Sequence, residues 1–209
     1  ADDKIEASID SLFIEGSGGS YGQESYQNAA YIAAFKTRTD HYEKRGQRGY
    51  MFIFGDEENH EFKVSEVQSL IDTADERALQ SMTTAEVYEK AAEKYQIFFV
   101  LPKKASGGSN DGIVQHWQKL IGAQNVLRLK DENAAGECVA AQIGICEGTT
   151  DAEGIAEDLA DIHVAGAGTT ALIKAVTGSI STTGRGEALT KLPKGSIVPG
   201  SSPVEIERL

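Results

Sequence analysis

Two uninterrupted apolar runs restrict this chain more than any other feature. Residues 50–54 read Tyr-Met-Phe-Ile-Phe and stop at Gly55-Asp56-Glu57; residues 96–101 read Gln-Ile-Phe-Phe-Val-Leu and stop at Pro102. A strand with one wet face alternates apolar and polar residues. A run without alternation, bounded by turn formers, suits a strand buried on both faces, as in a parallel sheet. A third, shorter strand is expected at residues 125–129.

Between and around these runs the apolar spacing becomes helical. Helices are expected at residues 1–15, 24–38, 65–74, 84–95, 112–121, 134–146, 152–161 and 164–177, the last weakened by its glycines. In the second, Tyr26, Ala30, Ala33, Ala34 and Thr37 fall on the packing side. Ser65 and Thr84 are the expected N-caps of the third and fourth. Residues 16–22 and 43–49 read as a glycine-rich loop and a polar turn. Strands alternating with helices mean crossover units. The expected fold is therefore a three-layer α/β/α sandwich with a mostly parallel, Rossmann-like sheet. Residues 1–177 form this domain, and residues 178–209, dominated by Gly, Ser, Thr and Pro, form a tail or extended arm.

The chain has 209 residues and a formal net charge of −12. That balance disfavours nucleic acid, whose phosphates need clustered Lys and Arg, and anionic membrane surfaces. It is compatible with cations or basic protein patches. Cys138 and Cys146 fall on one face of an expected helix, about 12 Å apart by the helical rise, too far for a disulfide. Two free thiols point to a reducing compartment, the cytoplasm. No apolar run has transmembrane length and no signal peptide is seen; the start at Ala1 reads as a processing or cloning boundary. His41, His60, His116 and His163 lack metal-ligand spacing. Trp117, with Ile113, Leu120 and Ile121, reads as core. Residues 166–171 fit G-x-G-x-x-A, but only residues 162–165 are placed to be the preceding strand, so dinucleotide binding is not expected.

The stretch from Gly16 to Glu57 carries the chemistry. In open α/β sheets ligands bind at the carboxyl ends of the strands. Asp56 stands at that edge, and Glu24 or Ser25, opening the preceding helix, is placed to face it. Carboxylates and hydroxyls suit a hard cation such as Mg²⁺ or Mn²⁺. The bland alternatives are a turn or cap role for Asp56, N-capping by Glu24 and Ser25, and solvation of Glu57 and Glu58. His60 lies near the same loop but reads as a surface residue.

These residues support a resemblance. The order Ile14-Glu15-Gly16-Ser17-Gly18-Gly19, then Glu24-Ser25-Tyr26-Gln27-Asn28-Ala29-Ala30, then Lys44 through the run at 50–54 to Gly55-Asp56-Glu57, resembles the middle of a von Willebrand factor A (vWA) domain of the bacterial and phage type. In that family a Gly-Gly loop with a Thr precedes a helix and a later strand ends in an Asp, both parts of a metal-ion-dependent adhesion site. The resemblance covers roughly residues 1–165 and implies metal contacts at Asp56, Ser25 and Glu24. It departs from the family in two ways. Ser25 or Glu24 stands where the Thr belongs, and the Asp-x-Ser-x-Ser motif with its first strand is missing, so the fold is incomplete at its N-terminal side. The family's sheet order sets that strand beside residues 50–54. Without it the most apolar strand is an exposed edge, an aggregation template, so another chain, a preceding region or strand exchange is expected to supply it.

The expected function is protein–protein interaction through a divalent cation bridging Asp56 to a partner's acidic residue. By resemblance, the partner is a MoxR-type AAA+ ATPase or a subunit of a phage or prophage assembly. The alternative is a metal-independent structural subunit packed permanently against other chains. An enzyme using Asp56 and Glu57 as a carboxylate pair is not expected, because adjacent residues rarely converge on one bond and no nucleophile stands beside them.

Overall fold

In the computed structural model of the chain, residues 10–11, 23–68, 82–103, 110–162 and 167–181 are described. In chain order their elements are β1 (Gln23–Glu24), α1 (Tyr26–Tyr31, running on as a π turn over Ile32–Lys36), α2 (Asp40–Glu43), β2 (Gly49–Phe54), β3 (Glu58–Asn59), α3 (Thr84–Lys94), β4 (Tyr95–Leu101), α4 (Asn110–Ile121), β5 (Val126–Arg128), α5 (Ala135–Glu147), α6 (Ala152–Ile162) and α7 (Ala167–Thr177). The expected helix at 1–15, the glycine loop at 16–22, most of the helix at 65–74 and the tail beyond 181 lie outside the described residues. The chain is a mixed α/β protein with parallel sheets. Among the described residues no helix is long and apolar enough to cross a membrane.

The apolar runs are neighbouring parallel strands, as their pattern predicts. β2 pairs with β4 from Gly49↔Tyr95 to Phe54↔Val100, and β4 pairs with β5 from Phe99↔Val126 to Leu101↔Arg128, in the order β2-β4-β5. The central strand explains its own composition. Residues 97–101 of β4 are 0–4% exposed, and because side chains alternate across a strand they feed two cores. Ile97, Phe99 and Leu101 join one apolar cluster; Phe98 and Val100 join the other. Each such side chain contributes about 1.5–3 kcal/mol by burial.

Helix placement follows from crossover handedness. Successive crossovers of one hand, stepping one way across a sheet, leave their helices on the same side. α3 and α4 make the two crossovers, and Val87, Tyr88 and Ala91 of α3 join Ile113, Val114 and Trp117 of α4 in the first cluster, with Ala30, Tyr31 and Ala34 from the α1 segment. Chain outside the crossovers must cover the other side of β4. Cys138, Ala141, Ile145 and Cys146 of α5, Ile155 and Leu159 of α6, and Ala175 and Val176 of α7 do so. Both cysteines are free and buried.

Several expectations are corrected. The helix expected from Glu24 starts at Tyr26, because Gln23 and Glu24 extend to pair with β3. Its packing face holds Ala30, Ala33 and Ala34 as expected, and also Gln27 and Tyr31. Thr83, not Thr84, caps α3: its hydroxyl accepts from Glu86 N–H while the Glu86 carboxylate accepts from Thr83 N–H at 2.7 Å, a reciprocal capping box. Thr84 is instead buried, its hydroxyl accepting from Phe62 N–H at 2.7 Å. Residues 64–66, where Ser65 was expected to begin a helix, form a 3₁₀ turn. Ile162 ends α6 and Gly168 lies within α7, while residues 163–166, including the first glycine of the G-x-G-x-x-A pattern, lie outside the described residues. Residues 178–181 dock on the core: Ser179 is buried and accepts from Lys130 N–H at 2.9 Å, and Ser181 N–H donates to Gln142 at 2.8 Å.

Candidate functional site

The carboxyl end of β2 delivers an acidic loop, and a second, two-stranded parallel sheet fixes what lies beside it. After Phe54 the chain passes through Gly55, Asp56 and Glu57 into β3. β1 pairs with β3 in the register Gln23↔Glu58 and Glu24↔Asn59, and His60 N–H donates to the Glu24 carbonyl at 3.0 Å. Glu24, and Ser25 after it, are thereby carried alongside the loop that begins at Asp56. Ser25 sits at the N-cap position of α1, yet its side chain makes no cap hydrogen bond and it is exposed. The capping role weighed for it is not the one it plays.

Tyr26 organises this corner. Its ring meets Phe99 and Trp117 edge-on, with centroids 6.0 and 5.5 Å away. Its hydroxyl reaches the backbone of Asp56 and lies within the field of the Asp56, Glu24 and Glu57 carboxylates. Burial first, and then those negative charges, push its pKa up to about 12. Gly55 is required by the same contact. A Cβ there would sit 2.5 Å from Tyr26 Cζ, closer than non-bonded carbons approach.

The next residues are held from α4 and α3. Trp117 Nε1–H donates to the Glu57 carbonyl at 3.0 Å. His116 Nε2 accepts from Asn59 N–H at 3.3 Å, and its Nδ1 lies 3.6 Å from Glu58 Oε2. The Asn59 side chain is buried and accepts from the Tyr88 hydroxyl at 3.0 Å. Glu57 and Glu58 were expected in solvent. Glu57 is only 7% exposed and Glu58 is half-buried against His116, because the turn into β3 folds both toward α4.

Across the carboxyl edge of the three-stranded sheet runs a cleft of about 240 Å³. Phe54, Gly55 and Asp56 form one wall, Val100 and Pro102 the floor, and Leu129 and Glu132 the far wall. Phe54 is 50% exposed. Glu132 accepts from Lys103 N–H at 2.8 Å. Of the residues singled out from sequence, Asp56 lines this cleft. Glu24 and Ser25 do not; they stand on the Tyr26 side of the acidic loop. Sequence reasoning missed Tyr26, His116 and Glu132. Glu132 was within reach, since it follows the third strand at the same edge as Asp56. Tyr26 and His116 carry no local signal.

The carboxylates of Asp56, Glu24 and Glu57 act on the Tyr26 hydroxyl, whereas Ser25 is exposed. Among the described residues no group of three or more His, Cys, Asp or Glu side chains is placed to hold a metal ion. No protein family, curated protein or solved structure matches the chain.

Proposed function

We propose that this chain is a protein-interaction module rather than an enzyme, working through the carboxyl edge of its parallel sheet. The reading takes the whole as a three-layer α/β/α sandwich of vWA type, incomplete at its N-terminal side. Its main support is Asp56, at the end of a strand packed in the core and on the wall of a cleft that also presents the half-exposed ring of Phe54. A carboxylate beside exposed aromatic surface on a rigid frame is the composition of a binding edge. In this reading Asp56, with Glu24 and Ser25, holds a Mg²⁺ or Mn²⁺ ion whose remaining positions go to water and to a carboxylate of the partner, an AAA+ ATPase or assembly subunit. Two buried free thiols fit a cytoplasmic setting. The test is Mn²⁺ titration followed by water-proton relaxation. Saturable binding lost in Asp56→Ala and weakened in Ser25→Ala is expected. A silent Asp56→Ala, with stability and association indifferent to Mg²⁺ and Mn²⁺, sinks the cation.

One observation favours a second reading, the metal-independent assembly subunit. β2 is hydrogen-bonded to β4, and among the described residues no strand lies along its other edge. An open edge on so apolar a strand invites a strand from elsewhere. Hydrogen exchange tests this: strong protection of residues 51–54 in a proven monomer removes the need for a donated strand.

A further inference from the structure

A cavity of about 610 Å³ lies between α5 and α6. Its floor is Ala141, Ile155 and Leu159, all less than 9% exposed. Small residues on α5 open it, and the turn linking the helices depends on one of them: a Cβ on Gly144 would sit 2.7 Å from Thr150 Cγ2. Glu137 of α5 and Asp158 of α6 stand one on each wall.

The sequence that builds these helices is one-sided in charge. Residues 131–173 contain nine acidic residues and no lysine or arginine, so this stretch holds nine of the chain's twelve net negative charges. Neighbouring carboxylates of one sign repel one another and gain when an opposite charge arrives. An apolar trough between two helices, walled by acids, has the shape and charge of a helix-in-groove receptor.

We infer that the α5–α6 groove receives an amphipathic helix of a partner protein, one with an apolar stripe flanked by lysine or arginine. The apolar stripe replaces water over Ala141, Ile155 and Leu159. The basic flanks meet Glu137 and Asp158. The trough is within the range of built ligand sites, about 300–1,000 Å³. This surface is separate from the Asp56 corner and does not depend on a cation.

The test uses the full chain and three fluorescent peptides of about 18 residues, long enough to form a helix on binding. The first carries leucines at helical spacing with lysines beside them. The second is a scrambled isomer of the same charge, and the third replaces lysine with glutamate. Saturable binding of the first is expected, at least about tenfold tighter than the scramble, with no binding of the third. Glu137→Lys with Asp158→Lys, and separately Ala140→Trp, are expected to weaken it by about tenfold or more, with circular dichroism and melting unchanged. Asp56→Ala is expected to leave it intact, which separates this site from the carboxyl edge. Equal binding of peptide and scramble, binding unaffected by well-folded variants, or nuclear magnetic resonance shifts away from α5 and α6 overturn the proposal. So does self-association lost in Glu137→Lys, which would make the occupant a second copy.

Discussion

Trp117 Nε1–H donates to the Glu57 carbonyl at 3.0 Å, while the same indole stacks on Phe99 of β4 with centroids 4.0 Å apart. One fully buried side chain thus joins the crossover helix, the central strand and the loop that carries the acidic residues. Tyr26 and Tyr88 close around it edge-on, at 5.5 and 5.7 Å. The position of Asp56 is therefore set from the core, although Asp56 itself is half-buried.

Trp117→Phe keeps an aromatic ring on Phe99 but leaves the Glu57 carbonyl without its indole donor. Losing that partner is expected to cost about 1–3 kcal/mol, with a further loss from the space vacated. Urea unfolding measures it. Hydrogen exchange should show residues 56–59 opening more readily than β4.

Gly55→Ala drives a methyl into the Tyr26 ring. Overpacking of this kind costs about 1–3 kcal/mol, and the ring must move off Phe99 and Trp117. Tyr26→Ala in the same chain removes the clash, so the double variant should be less destabilised than the two single changes summed. A double-mutant cycle by thermal unfolding reads this coupling.

Tyr26 also has an alkaline signature. Its pKa is pushed up from the ordinary 10.0 to about 12 in the folded chain, so the folded state holds the phenolic proton more tightly. Its contribution to stability is fully present below the unfolded value and is lost as pH rises from about 10 toward 12. Ultraviolet titration of tyrosinate should show a late-ionising component that Tyr26→Phe diminishes. Tyr88 ionises late as well, through burial.

The capping box on α3 makes an acid-side prediction. Thr83→Ala is expected to cost about 1 kcal/mol. Hydrogen bonds from the Thr83 N–H, and then its hydroxyl, hold the Glu86 carboxyl below its ordinary range. A depressed carboxylate stabilises the fold above its unfolded pKa, and that stability is lost as pH falls through the folded value. Glu86→Gln should flatten this part of the acid limb in a pH series of melting temperatures.

Phe54→Ser tests the edge without touching the core. The ring is half-exposed, so stability should change by less than about 1 kcal/mol, as for other exposed side chains. Association through the carboxyl edge or the open side of β2 should weaken, as sedimentation would show. An unchanged association constant removes Phe54 from any interface.

Local sequence determined the elements whose signal is one-dimensional. Residues 50–54 and 96–101 announced neighbouring parallel strands because no polar residue interrupts their apolar core, although only β4 is buried on both faces while β2 stays half-buried with Phe54 half-exposed, and Asp56 was legible at the carboxyl edge because it follows such a strand. The 3.6-residue spacing placed α3 to α6 to within about two residues, the usual error at helix ends. Tertiary structure decided what depends on partners distant in sequence. Glu24 became strand rather than helix because its backbone pairs beside Asn59, 35 positions on. Glu57 went inward because Trp117, 60 positions on, holds its carbonyl. Tyr26 became the centre of the acidic corner because two aromatic rings from β4 and α4 meet it there. Periodicity reports which face of an element is buried. It does not report against which neighbour, and burial, hydrogen bonding and charge at this site are all set by the neighbour.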